Sequence, residues 1–96
     1  FVDLPDAEAR AEILRIHAAR RGLTLDPREA AALAARSEGY TGAELEQAVV
    51  AAVYHVQHAG QALDARAIAR ELARTRPLSV VMAEKVSALR SWAAER

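Results

Sequence analysis

Cysteine is absent from the 96-residue chain. That excludes disulfides and thiolate metal sites, and it fits a reducing compartment. Glycine and proline are scarce, with 4 and 3 residues, so few positions interrupt regular structure. Charge of neither sign dominates, since 13 Lys+Arg face 13 Asp+Glu and the formal net charge is +0. A general electrostatic attraction to nucleic acid or to an anionic membrane is therefore missing, and neither is an expected partner. No apolar run approaches the ~18 residues of a membrane span, and Phe1-Val2-Asp3-Leu4-Pro5 lacks the regions of a signal peptide. A soluble, cytoplasmic chain is expected. What remains is 52% hydrophobic, 27% charged and 4% aromatic, the composition of one small globular domain with a modest core.

Alanine supplies about a quarter of the residues, which favours helix nearly everywhere and makes all-α the expected fold class. The rare glycines and prolines divide the chain into five helices. Asp6 caps the first, over residues 7–21, which ends at Arg20-Arg21 and Gly22. Asp26-Pro27-Arg28-Glu29 opens the second as a capping box with proline at the first helical position, and it runs to about Ser37 before Gly39. Thr41 opens the third, where Leu45, Ala48, Val49, Ala52, Val53 and Val56 form one apolar stripe to near Gly60. Asp64 caps a short fourth helix with Ala65, Ile68, Ala69 and Leu72 inward. Pro77 forbids its continuation, and Ser79 caps a fifth helix over 80–94 with Met82, Val86, Leu89 and Ala93 on one face. Trp92 borders that face, either closing the bundle end or anchoring an interface.

Unaided chemistry finds few candidates here. His55 and His58 lie three apart on the third helix, yet no further ligand sits at a metal-binding spacing. His17 falls inside the apolar arc of the first helix, one turn after Ile13. The sequence contains no Gly-rich phosphate loop, no Ser-His-Asp arrangement and no paired carboxylates with an evident task. The most informative stretch is Gly39-Tyr40-Thr41-Gly42-Ala43-Glu44-Leu45. Thr41 and Glu44 form a capping box, while Gly42 and Ala43 leave a nearly bare backbone where the positive end of the helix dipole emerges. A flat ring or a ribose could lie against such a turn, although Gly39 and Gly42 also serve as ordinary helix punctuation.

Leu4-Pro5-Asp6 with Arg10, then Ile13-Leu14-Arg15-Ile16-His17, then Gly39 to Leu45 resemble, in order and spacing, the small helical lid subdomain of AAA ATPases. The resemblance covers essentially the whole chain. The block Pro77-Leu78-Ser79-Val80-Val81-Met82-Ala83-Glu84 with Leu89-Arg90-Ser91-Trp92-Ala93 is similar to the lid end of a less-studied AAA family of bacteria and chloroplast genomes. In such proteins a P-loop subdomain precedes the lid, ATP lies between the two, and Mg is held by the P-loop side. The present chain, with no Walker sequence, would be a lid without its P-loop subdomain.

The resemblance implies specific roles. His17 matches the lid histidine that approaches the adenine and ribose, and Gly42 and Ala43 match the pair whose backbone packs against the base. Many wider relatives carry a phosphate-sensing arginine at the Ala43 position; its absence places this chain with the branch that lacks one. Arg10 and Arg15 are expected to be surface or packing residues rather than substitutes. The implied partners are the chain's own P-loop subdomain and neighbouring protomers of a ring, usually a hexamer. The lid would couple nucleotide state to rigid-body rotation about the entry near Pro5, with no hydrolysis by itself. Two other classes fit the helical pattern: a protein-docking module without a nucleotide role, and a helix-turn-helix module. Neutral charge and the exposed residues Glu44, Glu46, Gln47, His55 and His58 of the third helix argue against DNA.

Overall fold

The computed structural model describes residues 4–75, and among these the chain forms four helices and no strand. They are α1 (Ala7–Arg20), α2 (Pro27–Ala35), α3 (Gly42–His58) and α4 (Ala65–Arg74). Each start is capped at the expected residue, with the side chains of Asp6, Asp26, Thr41 and Asp64 accepting from the amides of Ala9, Glu29, Glu44 and Ala67. Glu29 and Glu44 reach back to the cap amides of Asp26 and Thr41, completing both capping boxes. The fifth helix proposed for 80–94, with Met82, Val86, Leu89, Trp92 and Ala93, lies outside the described residues.

Helix ends depart slightly from the expected ones. α1 stops at Arg20, and Leu23 N–H donates to the Ala18 carbonyl at 2.9 Å while Gly22 N–H donates to Ala19 at 3.1 Å. This is a Schellman closure around Gly22, whose φ is +84°. α2 ends at Ala35 rather than near Ser37. The reason is local: the buried Ser37 hydroxyl reaches the carbonyls of Leu33 (2.9 Å) and Ala34 (3.1 Å), closing the last turn with a side chain in place of continued ladder. Gly39 consequently sits in a separate turn closed by Tyr40 N–H to the Ser37 carbonyl, with φ +87°.

α3 is the central member, packed on α1 along one side and on α4 along another. Leu45, Ala48, Val49, Ala52 and Val56 are buried and Val53 is half-buried, as the stripe requires. Leu14 and Ala18 of α1, Ala30, Leu33 and Ala34 of α2, and Ala67, Ile68 and Leu72 of α4 complete the core with Leu25 and Tyr40. Among the described residues six of the fifteen buried apolar ones are alanines, so each seam buries little area and polar anchors carry more of the specificity.

Two such anchors stand out. Arg10 is 7% exposed and donates from Nε (3.1 Å) and Nη2 (3.0 Å) to the Ala34 carbonyl, and from Nη1 (2.9 Å) to Pro5. It joins the entry segment, α1 and the last turn of α2, where the negative end of the α2 dipole favours a cation. Tyr40 is 3% exposed and its hydroxyl donates to the Leu72 carbonyl at 2.8 Å, fastening the α2–α3 turn to the end of α4.

Removing the first anchor should be costly. Arg10→Ala strips hydrogen bonds from a buried carbonyl, and the expected loss is roughly 2–3 kcal/mol. Arg10→Lys should recover only part of it, because an ammonium cannot reproduce the guanidinium fork. Denaturant midpoints of the three proteins check this, and equal midpoints would remove Arg10 from its structural role.

Candidate functional site

Two of the residues singled out, Gly42 at the start of α3 and His17 on α1, lie along the α1–α3 seam. Gly42 is the first residue of α3, and a Cβ placed on it would lie 3.9 Å from Ile13 Cδ1, the nearest such contact. One turn further along both helices, His17 Nδ1 lies 3.5 Å from Glu46 Oε2. The pairs Ile13/Gly42 and His17/Glu46 are thus successive rungs of one seam, each step four residues long on both helices. His17 and Gly42 are brought to the same seam.

The imidazole is held without being satisfied. The His17 side chain is 16% exposed, and its buried Nδ1 makes no hydrogen bond. The Glu46 carboxylate, 43% exposed, is close enough to pair electrostatically with a protonated ring but fails as a hydrogen-bond acceptor. An uncompensated polar nitrogen in an interior seam has a cost. Nδ1 is buried, so the little surface the side chain exposes lies elsewhere on it.

Ala43 faces elsewhere. It is exposed and lines an apolar groove of about 450 Å³ together with Tyr40, Glu44, Gln47, Ala48, Ala51 and Thr75. On a helix, residues 42 and 43 differ by about 100° of rotation, so Gly42 addresses α1 while Ala43 addresses this groove. The start of α3 is therefore a corner between two surfaces. The Thr41/Glu44 box uses part of its donor capacity: Glu44 N–H donates to Thr41 Oγ1 at 3.2 Å and Thr41 N–H to Glu44 Oε1 at 3.0 Å.

Arg15 and Arg10 do not reach this corner. Arg15 donates from Nε to Glu12 Oε2 at 2.9 Å on the solvent face of α1, and that hydrogen bond holds the Glu12 carboxyl below its ordinary pKa. Of the surface or packing roles expected for it, Arg10 takes the packing one, bound to backbone carbonyls.

A second polar cluster was not anticipated. The Glu71 side chain is 7% exposed, with His55 Nε2 and Arg74 Nη1 each 3.6 Å from Oε2. Glu71 sits at the i+3 position from Ile68 on the inward arc of α4, which is the signal that could have placed it inside. His58 instead packs against the ring of Tyr54, which is 58% exposed, with centroids 4.5 Å apart and the planes tilted by 59°. Among the described residues no three His, Asp or Glu side chains gather as a metal site would need.

No family model, no curated protein and no solved structure matches the chain. Among the described residues no helix is long and apolar enough to cross a membrane.

The geometry makes Gly42 replaceable as far as packing goes. Gly42→Ala brings only an ordinary contact with Ile13, and it removes backbone freedom from the unfolded chain. The melting midpoint should stay level or rise, corresponding to up to about 1 kcal/mol. A clear loss of stability would instead make the glycine a packing requirement of the seam.

Proposed function

We propose that this chain is the helical lid of an AAA ATPase, seated over the adenine and ribose of ATP held by a P-loop subdomain. The observation that supports this most is the seam described above. Two residues separated by 25 positions in sequence, His17 and Gly42, come to one line of contact, and the same helix start carries Ala43 on its exposed side. These are the residues that the resemblance assigns to the nucleotide. A partly exposed imidazole and a helix start without side-chain bulk fit a neutral aromatic ring and a sugar.

The division of labour follows from the side chains present. His17 would meet the ligand with the exposed part of its side chain, while Glu46 Oε2 lies 3.5 Å from its Nδ1. Gly42 and Ala43 would admit the base by lacking bulk. ATP supplies the phosphoanhydride whose cleavage drives the cycle, with Mg held by the P-loop subdomain. The lid's part is to sense occupancy and move as one body. Arg10 suits that part, because it binds the carbonyl of Pro5, at the entry segment, to α1 and α2 at once. A turn of the entry segment would then carry the whole bundle with it, and neighbouring protomers of a ring would feel the rotation. By itself the chain hydrolyses nothing.

The test uses the lid joined to its P-loop subdomain. Gly42→Val places branched bulk at the base and should weaken ATP binding by about tenfold or more, a change of about 1.4 kcal/mol. His17→Ala should weaken it less, and Gly42→Ala least. Titration calorimetry measures all three, with circular dichroism confirming the fold. Parent-like affinity in both Gly42→Val and His17→Ala would make the seam purely structural, and ATP turnover by the 96 residues alone would refute the lid assignment.

A further inference from the structure

The polar cluster around Glu71 stands in a cleft between the end of α3 and α4. Its volume is about 260 Å³, and Ala52, Val56, Ala59 and Ala67 give it apolar walls. The turn after α3 shapes one side. Gly60, at φ +69°, lets Gln61 N–H return to the Val56 carbonyl at 2.8 Å, which brings Gln61 into the lining. His55, Arg70, Glu71 and Arg74 supply the ionisable groups.

Charge in the cleft changes sign with depth. The Glu71 side chain is 7% exposed, while that of Arg74 is 64% exposed and Arg70 is exposed as well. A carboxylate lies innermost and two guanidinium groups lie outside it. The carboxylate is loosely held: His55 Nε2 and Arg74 Nη1 each stand 3.6 Å from Oε2, beyond hydrogen-bond length, and among the described residues no donor comes closer. A buried carboxylate in that condition gains from a ligand that brings N–H donors. Arg70 has no ion pair or hydrogen bond among the described residues, so its donors are available at the mouth.

We propose that this cleft binds a free α-amino acid with a small apolar side chain, its ammonium directed at Glu71 and its carboxylate at Arg70 and Arg74. The order of charges selects a zwitterion. A plain anion would meet the arginines but leave Glu71 without a donor, and a plain cation would satisfy Glu71 but face two guanidinium groups. An α-amino acid carries both signs a few bonds apart and answers each depth. Val56 and Ala59 bring the C-terminal end of α3 to the cleft, and the negative end of that helix dipole favours the ammonium. The volume falls below the ~300–1,000 Å³ of sites for drug-sized ligands, which limits the occupant to a small molecule. His55 lies 13 residues beyond Gly42 (55 − 42), about 20 Å along α3, so amino-acid binding here does not rest on the nucleotide role of the other end.

The full 96-residue chain is titrated with glycine, L-alanine and L-valine, and the backbone amide shifts of Val56, Ala59, Gln61 and Glu71 are followed by NMR. At least one of the three should saturate with a Kd of about 1 mM or tighter. L-Valinamide, which lacks the carboxylate, and 3-methylbutanoate, which lacks the ammonium, should each bind at least about tenfold more weakly than L-valine. No saturation by any of the three amino acids up to about 10 mM overturns the proposal. Equal binding of 3-methylbutanoate makes the cleft an anion site, equal binding of the amide makes it a cation site, and either result overturns the zwitterion. Glu71→Gln should weaken the amino acid about tenfold. If that change loosens α4 by circular dichroism, the exposed Arg70→Ala carries the measurement with the same expected loss, and parent-like affinity in a folded Arg70→Ala chain overturns the assignment.

Discussion

The bundle depends on a buried guanidinium. Arg10 sits at 7% exposure with hydrogen bonds to the carbonyls of Ala34 and Pro5, and through them three segments become one body. A core in which alanine replaces bulk buries too little apolar area per seam to define register by hydrophobic contact alone. Directional bonds to carbonyls do what side-chain volume does not. The Tyr40 hydroxyl repeats the device at the other end, tying the α2–α3 turn to Leu72 of α4. Between these two anchors the four helices have little freedom to slide.

That rigidity shapes the seam between α1 and α3. With α1 held on α2 by Arg10 and the α3 start held by the Thr41/Glu44 box, Ile13 meets Gly42 and His17 meets Glu46 without either pair having to organise itself. The unbonded Nδ1 of His17 is an affordable local cost in a frame so fixed. A buried polar atom left without a protein partner is among the few exceptions that a native fold carries.

Short-range features were legible in the sequence. All four described helices begin at the cap residues that spacing indicated, because an N-cap and its acceptor geometry are decided within four residues. The apolar stripe of α3 was legible for the same reason. The end of α2 was not, since Ser37 can either continue a helix or close it with its hydroxyl, and only burial decides. Arg10 could be placed no further than packing or surface; its acceptor at Ala34 is 24 positions away. Likewise Glu71 belongs to the interior only once His55 of α3 stands beside it. Of the proposed site, the residues could be named from sequence, but that Gly42 and Ala43 address different surfaces is a property of the assembled helix.

The charge around the start of α3 limits what could bind there. A helix N-terminus by itself favours anions through its unpaired amides and dipole. Here Glu44 turns a carboxylate onto the cap amide of Thr41, and Glu46 adds a second one turn up the same helix, 3.5 Å from His17. Two carboxylates lie close to the dipole's positive end, and neither Arg10 nor Arg15 of α1 is directed at the corner, Arg10 being bound to carbonyls and Arg15 to Glu12. A phosphate would need a countercharge at such a corner. A neutral ring would not, because it gains from dispersion and from displaced water without requiring a countercharge. The proposed contact with base and sugar asks no countercharge of this helix start.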